Sequence, residues 1–490
     1  MRRLTESPKI RRLLLFLLGG TGVLCFAPFG LFWLTPFVCL AFFLLLRLAS
    51  TARNAFLDGF LFGLGFFLAG VSWVYVSLSV FGGMPWWLAA IATFLFCGVA
   101  ALYPALAAAA FKRWQPAGLI RQALYFGVLW MLTDWLRGWV FTGFPWLSLG
   151  YTQAMPSPLA GFAPLFGVYG LSLLTATLGA LLAVWRLGVP LLIAALLAGW
   201  GLQYIEWTSP DGAPVSVALV QGNVPQDIKF RPEFFTQTLI LYRDLVERHP
   251  AQITVLPETA LPTFFDRLPQ EFIDEISRLA KRQNGNILIG VPTRSGDENY
   301  QNSAVSLGVS PTQSYSKSHL VPFGEFIPPG FGWFVRMANI PLSDFSRGDR
   351  KQTPFAFSGQ QVAANICYED AFGEEIINAL PTASILVNMS NTAWFGDSLA
   401  QPQHLQISSL RALETGRPML RATNTGMTAV ITPDGRVSAV LPAFTRGVLT
   451  ANVQGHQGMT PYARYGNWLA LALGLIFLLM AIIPVRGKSK

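Results

Sequence analysis

Ala364-Asn365-Ile366-Cys367-Tyr368-Glu369-Asp370 decides how the rest of the chain is read. Val362 to Ile366 is a short apolar run with the length of a buried strand. It ends on Cys367, followed by two acids and then an apparent helix. The chain has four cysteines; Cys25, Cys39 and Cys97 sit in long apolar runs, so Cys367 is the thiol of the polar half. A thiol at a strand end beside charged groups suits a nucleophile of an α/β enzyme. A buried structural cysteine is the alternative this segment leaves open.

Composition divides the 490 residues into two kinds of chain. The whole is 52% hydrophobic and 12% charged, which points to an integral membrane protein. The long apolar runs are confined to residues 10–205 and 466–484, and residues 206–465 have ordinary soluble composition. The domains read as 1–205, 206–465 and 466–490. The formal charge of +9 follows the same division. Of 35 Lys+Arg and 26 Asp+Glu, 15 basic but only three acidic residues lie outside 206–465. The excess positive charge therefore belongs to the membrane segments, and no nucleic-acid partner is indicated. No cysteine framework suggests disulfides. In an oxidising compartment a lone Cys367 would have no thiol to pair with, which suits a working nucleophile.

Eight transmembrane helices are predicted: Ile10–Phe26, Leu31–Leu46, Ala55–Val80, Trp86–Phe111, Ala123–Phe141, Leu159–Trp185, Val189–Tyr204 and Trp468–Ile483. Gly59 and Gly63 have the spacing of a close helix contact. The basic clusters at the N-terminus, after helices two, four and six, and at the C-terminus put both termini in the cytoplasm by the positive-inside rule. Residues 206–465 then lie outside it, in the periplasm of a Gram-negative cell. The apolar, aromatic stretch from Trp139 to Leu159 reads either as an interfacial belt or as a lipid-access surface.

In 206–465, nine short β-rich runs alternate with the amphipathic stretches Pro232–Arg248, Pro269–Arg282, Phe372–Leu380 and Pro402–Thr415. This predicts a layered α/β domain. Its histidines are scattered and form no metal-ligand spacing, so neither a metal nor another cofactor is expected.

Two further features sit after strand candidates. Glu258, in Leu256-Pro257-Glu258-Thr259, follows an apolar strand end, where desolvation raises a carboxyl pKa and suits it to proton transfer. Lys317 and Glu325 are embedded in the extended run Ser316–Phe326. A carboxylate can take a thiol proton, and an ammonium can stabilise both the thiolate and a tetrahedral oxyanion.

Glu, Lys and Cys in that order resemble the nitrilase superfamily of carbon–nitrogen hydrolases. Lys-Ser-His-Leu-Val-Pro-Phe-Gly-Glu-Phe-Ile-Pro (317–328), Ile-Cys-Tyr-Glu (366–369), Asn-Met-Ser-Asn-Thr-Ala-Trp-Phe-Gly (388–396) and Thr-Pro-Tyr-Ala-Arg (460–464) are similar to the apolipoprotein N-acyltransferase family. So is the order of seven helices, soluble domain and last helix. The resemblance implies an αββα nitrilase-like sandwich and assigns Cys367 as nucleophile, Glu258 as general base and Lys317 as oxyanion stabiliser. It further implies that Glu325 orients Lys317 or Glu258, that Tyr368 and Glu369 shape the pocket beside the nucleophile, and that Asn302 and Trp394 belong to the surround. Phe230 stands where the family often has Trp. The implied activity is ping-pong acyl transfer through a thioester, in the Gram-negative inner membrane and by a monomer. The expected donor is phosphatidylethanolamine, and the acceptor is the α-amine of S-diacylglyceryl-cysteine in an apolipoprotein.

The apolar run Phe326–Val335 adds an expectation from the residues themselves: a lid that admits acyl chains, or else a core segment. Two rival functions stay open at this level. A membrane-anchored amidase has no need of eight helices. A transporter or scaffold fits poorly with few intramembrane ionisable residues, Asp58, Asp134 and Arg137 among them.

Overall fold

The computed structural model describes residues 7–296, 299–327 and 344–483. The expected lid lies almost wholly outside them. The chain divides into two compact units: Met1–Ser72 with Ala90–Ile205 and Tyr465–Lys490, and Trp73–Ala89 with Glu206–Arg464.

The first unit is helical: α1 (Pro8–Gly22), α2 (Thr35–Arg47), α3 (Ala52–Val71), α4 (Trp86–Arg113), α5 (Leu119–Arg137), α6 (Ala163–Leu181), α7 (Trp185–Leu202) and α11 (Trp468–Ile482). Among the described residues, three helices are long and apolar enough to cross a membrane: Ala52–Val71, Trp86–Arg113 and the run Pro158–Leu202. Eight separate spans are more than that measure supports. Helices α1, α2 and α11 have 15, 13 and 15 residues, short of the ~20 that cross the hydrocarbon unaided. Gly59 and Gly63 do make a close contact: a Cβ on Gly59 would stand 2.5 Å from the Pro104 carbonyl oxygen, and one on Gly63 2.9 Å from the Ala101 Cα. The buried charges are paired, Arg11 with Asp58 and Arg137 with Asp134, each at 2.8 Å. Both acids are thus paired with neighbouring arginines.

Two expectations here need correction. The third helix stops at Val71 rather than Val80, and the following residues join the second unit. Hydropathy could not see that break, because Trp73–Phe81 is as apolar as the helix before it. The 139–159 stretch is not simply an interfacial belt. It is a series of short 3-10 turns with Trp146 and Tyr151 1% exposed, although Trp139 and Phe141 remain open. The Arg137 guanidinium donates to the Phe144 carbonyl at 2.7 Å, satisfying backbone that no helix pairs.

The second unit is built on two six-stranded sheets. The first has the order β12-β1-β2-β3-β4-β5 and the second β11-β10-β9-β8-β7-β6. In the first, β1 (Thr208–Gln221), β2 (Ile253–Val255) and β3 (Asn286–Ser295) run parallel. Strands β4 (Asn299–Gly308) and β5 (Ser314–Ser316) continue it antiparallel, and β12 (Gly447–Gly458) closes the far edge against β1. In the second, β7 (Gln360–Ile366), β8 (Ile385–Ser390) and β9 (Met419–Thr423) are the parallel centre. Antiparallel β6 (Phe355–Phe357) flanks it on one side, and β10 (Ala429–Ile431) and β11 (Val437–Val440) on the other.

Val217, Leu219 and Val255 of one sheet share a single core with Val362, Ile385 and Val387 of the other. Helices α8 (Pro232–Arg248) and α9 (Gln270–Arg282) cover the outer face of the first sheet through Leu239, Tyr242, Phe272 and Ile276. Helix α10 (Ala400–Thr415) covers the second through Leu405 and Ala412. This is an α/β/β/α sandwich. Its strands number twelve among the described residues, against nine expected, because β5, β6 and β11 are too short or too polar to show in the pattern.

Candidate active site

Three chain segments reach the site from three strand ends. Glu258 follows β2, Lys317 follows β5 and Cys367 follows β7. The carboxyl ends of parallel strands are where α/β sheets open a crevice.

Glu258 is 7% exposed, and each of its oxygens is held. Asn302 Nδ2 donates to Oε1 at 2.8 Å, and the Asn391 backbone N–H donates to Oε2 at 2.7 Å. Lys317 Nζ lies 3.5 Å from Oε1. Lys317 is 1% exposed and lies nearer to Glu325, at 2.9 Å. Asn302 Nδ2 also donates to Glu325 at 2.8 Å, so one amide bridges the two acids, and the Val321 N–H completes the hold on Glu325 at 2.9 Å. Burial alone would lower the Lys317 pKa. The Glu325 and Glu258 carboxylates outweigh it and hold the ammonium well above the usual lysine range.

Cys367 is 8% exposed and has a positive φ of 54°. A non-glycine residue in that region costs on the order of 1–3 kcal/mol unless its surroundings hold it there. Here they do. Asn388 Nδ2 donates to the Cys367 carbonyl at 2.9 Å. Asn388 Oδ1 accepts from Arg421 at 3.0 Å and from Ser390 at 2.6 Å. Arg421 also donates to Ser408 Oγ at 2.8 Å and to Asp370 at 3.2 Å. Asp370 further contacts His404 Nε2 at 2.8 Å and Ser408 Oγ at 2.5 Å. All of these side chains are buried. Burial pushes the Asp370 carboxyl up, but His404, Arg421 and Ser408 together bring it below the usual carboxylate range. Burial, and then the Arg421 charge, depress the His404 imidazole, with Asp370 opposing.

The thiol itself is pushed well above the usual cysteine range, first by burial and then by the Glu258 charge, with Lys317 opposing. The resting state is thus a neutral thiol beside a charged lysine. Such a thiol needs its proton removed as it attacks, and a carboxylate at hand can take it.

Glu369 does not join this cluster directly. One oxygen accepts from the Ser318 N–H at 2.7 Å and the His319 N–H at 3.1 Å; the other accepts from the Ile366 N–H at 2.6 Å and Tyr315 Oη at 2.9 Å. It clasps the Lys317 segment to the Cys367 turn. Tyr368 packs edge-on to Phe372, with ring centroids 4.9 Å apart. Phe230 follows the buried Lys229, whose ammonium is 6.0 Å from the Phe230 ring and donates to the Glu258 carbonyl at 3.4 Å. Burial lowers Lys229 to about 8, with Glu258 opposing. Trp394 sits in the 391–396 turn that also carries Asn391.

Sequence reasoning assigns no role to Lys229, Asn388, Asn391, Asp370, His404, Ser408 or Arg421. The available signal was polar residues at the ends of apolar strands, Asn388-Met389-Ser390-Asn391 at the close of β8 and Arg421 within β9. Their pairing, across as many as 133 residues for Asn391 and Glu258, was not readable.

The sandwich and its strand-end Glu, Lys and Cys define a carbon–nitrogen hydrolase domain, and the carbon–nitrogen hydrolase model matches residues 216–460. The model of the apolipoprotein N-acyltransferase N-terminal domain matches residues 18–181. An apolipoprotein N-acyltransferase from Nitrosomonas europaea is 49% identical, covering 97% of this chain and 98% of its own. One from Ralstonia nicotianae is 48% identical, covering 96% and 92%. An amidase of the nitrilase superfamily from Nesterenkonia aligns with 52% of this chain and 95% of its own, at 19% identity and a TM-score of 0.39. The chain belongs to the apolipoprotein N-acyltransferase family. It is an acyltransferase of lipoprotein maturation.

Proposed function

We propose that Cys367, Glu258 and Lys317 carry a two-step acyl transfer from phosphatidylethanolamine to the α-amine of an S-diacylglyceryl-cysteine N-terminus. The observation that carries it is the buried cluster in which Lys317 lies between Glu325 and Glu258 while the charges of all three bear on the Cys367 thiol.

In the first step Glu258 takes the Cys367 proton as sulfur attacks the ester carbonyl carbon. The resulting oxyanion faces the Lys317 ammonium. Collapse breaks the C–O bond, the lysophospholipid oxygen takes the proton back from Glu258, and a thioester remains. In the second step the neutral α-amine attacks the thioester and gives a proton to Glu258. Collapse breaks the C–S bond, an amide forms, and the proton returns to sulfur. Glu325 and Asn302 keep Lys317 and Glu258 in register. Tyr368, Glu369, Phe230 and Trp394 shape the surround. The burial of Cys367 supports exclusion of water, which would otherwise hydrolyse the thioester.

The charge pattern supports a multi-pass protein of the Gram-negative inner membrane with both termini cytoplasmic, eight crossings and residues 206–465 in the periplasm. It acts as a monomer.

The test is the intact mass of the purified protein after incubation with phosphatidylethanolamine, beside Cys367→Ala. A gain of one fatty acyl group is expected, absent in the variant and removed by a diacylglyceryl-cysteine peptide. An adduct that water removes as fast as the peptide does would mark a hydrolase. No adduct on lipid-bound protein would overturn the covalent mechanism.

A further inference from the structure

Residues Trp73–Ala89 follow α3 in sequence but belong to the catalytic unit. They begin with a helical turn at Val74–Val76 and a wider five-residue turn at Ser77–Phe81. This segment grips the 391–396 turn from several sides. Ser77 Oγ donates to the Trp394 carbonyl at 2.8 Å. The Trp73 ring packs edge-on to Phe395 at 4.6 Å, and its Nε1 donates to Gln403 Oε1 at 3.3 Å. The Phe81 ring lies 5.9 Å from that of Trp394. Gly396 has a φ of 60°, and a Cβ there would stand 3.0 Å from Val76 Cγ1, so the turn fits the segment closely only as glycine.

The same turn starts at Asn391, whose backbone N–H is the donor to Glu258 Oε2 at 2.7 Å. The gripped residues lie in, or directly after, the four-residue 3-10 helix Thr392–Phe395 that Asn391 opens. Its inner side is tied by Gln401 Nε2 to the Thr392 and Gly396 carbonyls at 3.0 and 3.2 Å, and by Asn424 Nδ2 to Asn391 Oδ1 at 3.1 Å. Its outer side is tied by Trp73 and Ser77.

We propose that Trp73 and Ser77 are positioning residues for acyl transfer, clamping the 391–396 turn so that the Asn391 N–H stays on the Glu258 carboxylate. This rests on Glu258 being the base. An N–H on a carboxylate favours its charged form, so loosening the clamp makes Glu258 hold a proton more tightly. The acid limb of the acylation profile then moves to higher pH.

The experiment is single-turnover formation of the acyl adduct, read by intact mass, on the full-length protein with phosphatidylethanolamine vesicles from about pH 5 to about pH 9. Ser77→Ala and Trp73→Ala are compared with wild type, Ser77→Thr and Glu258→Gln. Ser77→Ala and Trp73→Ala should acylate about 3- to 10-fold more slowly at neutral pH, with the acid limb raised by about half a unit. Ser77→Thr, which keeps the hydroxyl, should return both to near wild type. Slower acylation with an unmoved limb would mean only structural support and would overturn the proposal, as would wild-type behaviour. If Trp73→Ala does not fold, Ser77→Ala, which removes a single hydroxyl, decides alone. Wild-type acylation by Glu258→Gln would instead overturn the assignment of the base, a failure distinct from that of the clamp.

Discussion

Lys317 Nζ stands closer to Glu325, at 2.9 Å, than to Glu258, at 3.5 Å. The lysine's principal counter-charge is therefore Glu325 rather than Glu258, the proposed base. In Glu325→Gln, Lys317 loses its nearer counter-charge and the cluster loses the carboxylate that holds Lys317 in register with Glu258. The acylation rate should fall about 10- to 100-fold with little change in lipid affinity. Stopped acylation assays with lipid titration separate the two quantities.

Lys317 is also what opposes the rise of the Cys367 thiol pKa. In Lys317→Met that opposition is gone and the thiol rises further. Alkylation of Cys367 by a neutral reagent such as iodoacetamide should slow by about tenfold or more at every pH below the thiol's titration, since the thiolate is the reacting form. Peptide mapping distinguishes Cys367 from the three thiols of the helical unit. An unchanged rate would remove Lys317 from the thiol's electrostatics.

Gly290 lies in β3 behind the base. A Cβ there would collide with the Pro257 carbonyl and stand 2.8 Å from the Glu258 Cα. Backbone cannot yield as a side chain can, so Gly290→Ala must push the Glu258 turn outward. About 1–3 kcal/mol of stability should be lost, and acylation at least about tenfold, because a base displaced by a fraction of an ångström misses its proton. Chemical denaturation and adduct kinetics on the same preparation test both.

Asp370 neutralises Arg421 in a fully buried setting. Asp370→Asn leaves that guanidinium without its counter-charge, and a loss of about 3–5 kcal/mol is expected at neutral pH. The folded carboxyl has a depressed pKa. Its contribution is complete above the unfolded value of about 3.9 and fades as pH falls through the lower folded value. The stability gap between wild type and Asp370→Asn should therefore be constant from neutral pH down to about 4 and narrow below it. A gap that stays constant in acid would mean Asp370 is not charged in the native protein.

Cys367, Glu258 and Lys317 were the legible part of the site. Cys367 and Glu258 each follow a short apolar run, whereas Lys317 follows the polar Ser314-Tyr315-Ser316 and stood out through its place in the 317–328 motif. Asn302, Glu325 and Glu369 came into view through motif resemblance. What could not be read is what holds them. Asn388 reaches Cys367 from the next strand, and His404 and Arg421 come from later elements still. Trp73 and Ser77 come from more than 300 residues upstream of their partners, 317 for Ser77 and Trp394, in a run whose hydropathy matches the helix before it. Hydrophobic period reports which face is buried, not which distant partner buries it. The shortest strands escaped for a related reason, since three residues such as Phe355–Phe357 carry too little alternation to stand out.

The catalytic unit begins and ends on the same pair of strands: Thr208 of β1 faces Gly458 of β12, and the pairing runs inward to Gln221 and Gly447. A fold whose two ends are zipped together has no need of the chain on either side to close its core. Such a module can be spliced between two helices of a host, or lifted out of one, with a single seam to heal. That architecture explains how an enzyme fold could come to sit inside a membrane protein's sequence without either losing its own hydrophobic logic. It also marks the Trp73–Ala89 segment as the one part of the working unit that such a transplant would leave behind.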